Sequence, residues 1–335
     1  MKKLITLFAA LAFAGCGGDD ESASDTLTVY SGREEELVAP LFDRFEEQTG
    51  INVEVRYADS AELAATIAEE GDNSPADVFF AQDPGSLGAV DDQLVELPQE
   101  VLDRVDARFH DGDGRWVGTS GRARVIVYNT DELTADEVPD SVFDLTDPKW
   151  KGKIGLPPTN ASFQAFVTAM RLEAGEERTK QWLDDLKAND PKFYEKNTPT
   201  VEAVASGEIQ LGLVNHYYLY LVKAEQPDAP IANKYLPGND AGALVSVAGV
   251  GILDGAEHAD AAERFVEFLL EDEQQRFYTE EAEEAEIPLI EGIDPKEGVP
   301  SLGELSNRGP DVDLSSFGGE LERTLELLNE TGYTS

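Results

Sequence analysis

Tyr217 and Tyr218 stand side by side in the stretch VNHYYLYLV, with His216 before them and Tyr220 after. A phenolate is a hard, anionic oxygen donor, and hard donors select hard cations. A free tyrosine has a pKa of ~10, so it ionises at neutral pH only beside a strong positive charge. Ferric iron is such a charge, whereas calcium and magnesium prefer carboxylates and carbonyls. A metal held by this pair is therefore expected to be Fe3+ rather than a divalent ion. The same stretch also fits plain packing. Tyr217, Tyr220, Leu221 and Ala224 follow i, i+3, i+4, i+7 spacing, the mark of a buried helical stripe. Tyr218 lies off that stripe and needs a separate partner for its hydroxyl.

The pair follows IQLGLVN, a buried-strand pattern, and begins a helix with Asn215 as its expected N-cap. Other strand-and-helix alternations surround it. TLTVYSG, INVEVRY and ADVFFAQD read as strands, separated by the helices EEELVAPLFDRFEEQTG and AELAATIAEEG, each closed by glycine. This βαβαβ start predicts an α/β unit with a largely parallel sheet. SGRARVIVYN, KIGLPP, IQLGLVN and GALVSVAGVGIL continue as strands. Three helices lie between them, over SFQAFVTAMRLEAG, RTKQWLDDLKAN and TPTVEAVASGE. DAAERFVEFLLEDEQQRFYTE reads as one strong helix, and LSSFGGELERTLELLNETG as a last one. Two α/β blocks in series predict a two-lobed, hinged protein. Its ligand is expected at the carboxyl ends of strands. Those ends are Ser31–Glu34, Ala81–Asp83, Pro158–Ser162 and Asn215–Tyr218.

The 335 residues suit about two domains. There are 68 acidic against 26 basic residues, a net charge of −42. Nucleic-acid binding needs basic patches, so it is excluded as a function class. Such charge keeps a chain soluble and makes it repel itself. Salt would screen that repulsion, so saline surroundings and an ordinary acidic secreted protein are both open readings. Enzyme signatures are missing: there is no GxSxG, HExxH, P-loop or Cys/His zinc spacing, and the three histidines are scattered. His110 and His258 look incidental, and His216 is expected at the surface or behind the ligands.

Lys2 and Lys3 precede the apolar run LITLFAALAFA, too short to span a bilayer. Residues 1–15 therefore read as a signal peptide. FAGC ends in Cys16, the one cysteine, and resembles a lipobox with Cys16 as the lipidated first residue of the mature chain. Residues 16–26 then form a polar tether. The expected location is extracytoplasmic, anchored to the cell membrane by lipid.

Beyond the tyrosines, several stretches lie in order across roughly residues 27–280: LTVYSGRE, FEEQTGINVEV, IAEEGDNSPADVFFAQDPGSLG, SGRARVIVYNTDEL, PKWKGKIGLPPTNASF, YEKNT, VEAVASGEIQLGLVNHYY and GALVSVAGVGIL. Together they resemble the periplasmic ferric-ion-binding proteins of bacterial iron ABC importers. That resemblance implies a type II periplasmic-binding-protein fold with iron in an interlobe cleft. It implies lobes of 27–121 plus about 243–290 and of 122–242 plus about 291–335. It further implies a monomer that delivers iron to an ABC permease and has no enzymatic activity.

The resemblance assigns Tyr217 and Tyr218 as metal ligands. Asn215 and Asn197 match positions that hold a synergistic anion such as phosphate or carbonate. Asn160, Ala161 and Ser162 match the loop that donates to that anion, and Arg122 an arginine near the metal. A loop opening a helix suits an anion, because the first N–H groups there are free. Two positions depart from the family. Glu34 stands where a histidine ligand is common, and Gln82 where a glutamate is, with Asp83 beside it. Glu34 is a hard oxygen donor. Gln82 is a poor one, so Asp83, water or the anion is expected to fill its place. These changes leave open an alternative on the same scaffold: an organic or phosphorylated anion, or a polyamine.

Overall fold

The computed structural model describes residues 26–334 apart from 239, 282–284, 307–308 and 311. The signal segment, the tether and Cys16 lie outside the described residues. The chain opens β1 (Thr26–Ser31), α1 (Glu35–Thr49), β2 (Asn52–Tyr57), α2 (Ser60–Glu70), β3 (Val78–Ala81) and α3 (Pro84–Gly88). β1 pairs with β2 and with β3, both in parallel, as the alternation predicts. The short α4 (Gln99–Leu102) leads to β4 (Trp116–Asn129). The second block is β5 (Ile154–Leu156), α5 (Ala161–Ala174), α6 (Glu176–Ala188), β6 (Lys192–Phe193), α7 (Asn197–Ala205), β7 (Leu211–Asn215), α8 (Tyr218–Glu225) and β8 (Ile231–Lys234). The chain returns through β9 (Val245–Ile252), α9 (Ala259–Leu269), α10 (Asp272–Glu280), α11 (Leu302–Ser306) and α12 (Phe317–Glu330).

The strands order as β2-β1-β3-β9-β4-β7-β5-β6, with β8 also on β4. β4 is the strand that joins the two halves. Trp116–Ala123 pair antiparallel with β9, with a bulge between Gly118 and Ser120. From Arg124 on, the same strand pairs with β7 and β8. All its residues are buried, including the polar Thr119, Ser120, Arg122, Arg124 and Asn129. This is the mixed α/β, two-lobed arrangement that the strand pattern predicts.

Helix α1 shows how the sequence seats the first half. Val38, Leu41, Phe42 and Phe45 share its buried face, Glu35 and Glu36 occupy its first turn, and Gly50 ends it at φ 75°. Phe42 and Phe45 meet Phe265 of α9 at 5.5 and 5.1 Å. Burying each such phenyl contributes about 1.5–3 kcal/mol. The expected single helix over 260–280 is in fact two, broken at Leu270 and Glu271. Polar partners satisfy carbonyls that the break frees. Gln275 Nε2 donates to Leu269 O at 2.9 Å, and Arg104 donates to Leu270 O at 2.8 Å. Helix α12 packs on α3 of the first half and α5 of the second, so the tail touches both. Gly318 of α12 meets Gly88 of α3 backbone to backbone; a Cβ at 318 would lie 2.2 Å from the Gly88 carbonyl carbon.

Candidate functional site

β7 ends at Asn215 and α8 begins at Tyr218, so the two tyrosines sit on the strand-to-helix turn. Their rings lie side by side with centroids 4.3 Å apart, and the Tyr217 hydroxyl donates to that of Tyr218 at 3.2 Å. Within a regular helix neighbours point about 100° apart; the turn instead brings both hydroxyls to one place. Tyr217 is 1% exposed and Tyr218 7%. Both pack in the apolar cluster around Val125, Val201 and Val222, with Tyr220 and Leu221 half-buried against it, while Ala224 of the expected stripe is exposed. Among the described residues no three His, Cys, Asp or Glu side chains gather to hold a metal. The phenol pair is the oxygen-donor set this site offers.

Asn215 is not the N-cap of α8. Tyr217 holds that position with no side-chain cap bond, because the Asn215 Oδ1 is already taken by Arg124 Nη1 at 3.1 Å. His216 is not at the surface. It is fully buried behind the pair, its ring edge-on to Tyr217 at 5.6 Å. Its Nε2 donates to Ala285 O at 2.9 Å and its Nδ1 accepts from Ala123 N–H at 3.2 Å, which fixes a neutral tautomer. Burial pushes its pKa down to about 4.

Arg122 lies over the Tyr217 ring, 5.8 Å from its centroid, and donates to the Gln82 carbonyl. Behind it, Glu286 is buried with two arginines. It accepts from Arg122 Nε at 2.8 Å, Arg33 at 2.9 Å and the Ser120 hydroxyl at 2.7 Å. Burial alone would raise the Glu286 carboxyl, but Arg33 and Arg122 outweigh burial and hold it down at about 2. Arg124 is a further buried arginine, and burial lowers it to about 9. Arg122 and Arg124 thus place positive charge beside the two phenols.

The Asn160–Ser162 loop and Asn197 are linked by hydrogen bonds. Asn160 caps α5, its Oδ1 accepting from Ser162 N–H at 3.1 Å and from the Ser162 hydroxyl, and Ala161 opens the helix. Asn197 begins α7 and donates Nδ2 to the same Oδ1 at 3.0 Å, tying two helix N-termini together. The backbone donor at Ser162 fixes the Asn160 amide, which in turn fixes that of Asn197. Among the described residues the buried Asn197 Oδ1 has no partner.

Glu34 precedes α1 with its side chain half exposed, 3.9 Å from Lys196 of the second half. Glu34, Gln82 and Lys196 line one cavity of about 490 Å³. Asp83 is occupied elsewhere. It caps α3, one oxygen accepting from Ser86 N–H at 2.9 Å and the other from the Ser86 hydroxyl at 2.8 Å. Burial pushes its pKa up, against the pull of Ser86 and Arg122. The structure therefore offers Glu34 and Gln82 to the cavity and spends Asp83 on the fold. Lys196, Arg124, Arg33 and Glu286 escaped the sequence reading. Arg124 carried a signal, standing two residues from Arg122 on one face of a strand and just before the apolar run VIVY.

Residues 73–297 match the family model described as bacterial extracellular solute-binding protein. The chain belongs to that family. This solute-binding protein is 30% identical to a Serratia marcescens relative named Fe(3+)-binding periplasmic protein, over 98% of this chain and 96% of the relative. It is 33% identical to the major ferric iron-binding protein of Neisseria meningitidis serogroup B, over 91% and 92% of the two chains. Its fold superposes on iron-bound HitA from Pseudomonas aeruginosa with a TM-score of 0.86 and 32% identity, covering 92% and 99% of the chains. Solute-binding proteins serve transport and are not enzymes, in line with the absence of catalytic motifs in the sequence.

Proposed function

We propose that this solute-binding protein captures ferric iron between its lobes and hands it to an ABC permease at the membrane. The observation that carries the reading is the convergence of the Tyr217 and Tyr218 hydroxyls, 3.2 Å apart on a strand-to-helix turn beside Arg122. The iron is cargo. The two phenolates hold it from the second lobe, 122–242 with about 291–335. Glu34 reaches it from the first lobe, 27–121 with about 243–290. Gln82 sits beside the metal, and its place in the shell is taken by water or by the anion. A synergistic anion, phosphate or carbonate, is held by Asn160, Ala161, Ser162, Asn197 and Asn215. The mature chain works as a monomer outside the cytoplasm, tethered through lipidated Cys16. The support for the iron reading is the phenol pair together with the ferric-iron names of relatives at 30% identity and above.

The test is retention. Apo protein is mixed with iron presented as a weak chelate, desalted, and assayed for metal. About one iron per chain, with a smaller radius of gyration than the apo form, is the expected result. A protein that leaves the column free of iron contradicts the proposal.

A further inference from the structure

Arg124 is 2% exposed and lies opposite Asn215 in the β4–β7 ladder. Its Nη1 donates to Asn215 Oδ1 at 3.1 Å and its Nη2 to Leu213 O at 2.6 Å. Among the described residues its Nε has no partner and no carboxylate pairs with it. The guanidinium faces Phe163 and Phe166 at 5.6 and 5.5 Å, beneath the first turns of α5. An arginine buried without a carboxylate is costly. Placing it under a helix N-terminus adds to the cost, because that end carries partial positive charge. Both costs are relieved when an anion occupies the N-terminus of α5.

The contact with Asn215 gives the charge a direction. Arginine only donates, so the Asn215 atom facing it must be the oxygen. The Asn215 Nδ2, which donates to no group among the described residues, is then turned away as a donor. We propose that Arg124 is a positioning residue for the synergistic anion: it locks Asn215 as a one-way donor and supplies the positive charge beneath the anion loop. The inference rests on the ferric-iron reading above and assigns to Arg124 a part in how firmly iron is held.

The test uses the mature chain, Fe3+ from a weak chelate, and inorganic phosphate as the probe anion. The readout is the phosphate concentration that gives half-maximal colour from the iron–phenolate band. Arg124→Gln removes both the clamp and the charge. It is expected to raise that concentration about ten- to a hundredfold, the range for a hydrogen bond to a charged group. Asn215→Ala is expected to raise it by a similar factor. The double variant should do no worse than the more affected single one, since the residues act as one unit. Arg124→Lys keeps the charge but cannot hold both Asn215 and Leu213, so its shift should be smaller, with thermal unfolding close to wild type. It also serves as the decisive variant if Arg124→Gln fails to fold. Wild-type phosphate dependence in Arg124→Lys and Arg124→Gln, or factors that multiply in the double variant, overturns the proposal. So does a wild type that holds iron regardless of phosphate and carbonate. A wild type that binds no iron at all instead refutes the ferric-iron reading, so the two failures are distinct.

Discussion

Replacing Glu286 with glutamine should loosen the protein in a way that pH reveals. The change keeps the shape of the side chain but leaves Arg33 and Arg122 facing each other without the carboxylate both now hold. Removing one partner of a buried ion pair costs about 3–5 kcal/mol. The pKa gives a second route to the size. The carboxyl, ordinarily near 4.5, is held at about 2; at ~1.4 kcal/mol for each tenfold change in the proton equilibrium, that is about 3 kcal/mol. The folded value is the lower one, so the unfolded chain takes up the proton first. The contribution is complete above pH 4.5, declines as pH falls toward 2, and is gone below. Urea unfolding of iron-free wild type and Glu286→Gln at a series of pH values measures it. The variant should be weaker by about 3–5 kcal/mol at pH 7, and the gap should close between pH 4.5 and pH 2. A gap under about 1 kcal/mol at pH 7, or one that stays constant into acid, refutes the reasoning.

Glu34 and Asp83 should separate cleanly. Glu34→Ala is expected to weaken iron retention against a competing chelator while leaving unfolding unchanged. Asp83→Ala should cost about 1 kcal/mol of stability through the lost cap of α3 and leave iron binding within a few-fold of wild type; the reverse pattern contradicts both assignments. Gly318→Ala should destabilise by about 1–3 kcal/mol or more in urea unfolding, because the new methyl meets the Gly88 backbone rather than a side chain that can turn aside. Thermal unfolding between 0.1 and 2 M NaCl tests the acidic surface. Screening of a net charge of −42 should raise the midpoint steadily as the Debye length falls from ~10 Å toward ~3 Å, and a flat series contradicts it.

Much of the fold was legible because its signals are local. Alternation marked β2, a continuous apolar run marked β3, and glycines marked the ends of β1, α1 and α2. The breaks in that legibility come from distant partners. Nothing local to Leu270 says that Gln275 and Arg104 will satisfy its turn, so one helix was expected where two exist. The site followed the same rule. Tyr217, Tyr218 and the Asn160–Ser162 loop lie at strand ends, where the α/β pattern directs attention. Asn215 has the composition of an N-cap, but Arg124 across the sheet claims its oxygen. Asp83 looked like a ligand beside Gln82, yet Ser86 three residues on makes it a cap. Glu286 was invisible. Its role depends on arginines 253 and 164 residues away in the chain.

The central claim is that two phenolates hold ferric iron. Visible absorption of the iron-loaded wild type, Tyr217→Phe, Tyr218→Phe and the double variant tests it most directly. Removing a hydroxyl while keeping the ring preserves the packing, so all four proteins should fold alike. The wild type should show a phenolate-to-iron charge-transfer band. Each single variant should keep a weaker, shifted band and lose iron more readily, and the double variant should be colourless. A double variant that retains iron and colour, or a loaded wild type with no such band, contradicts the account.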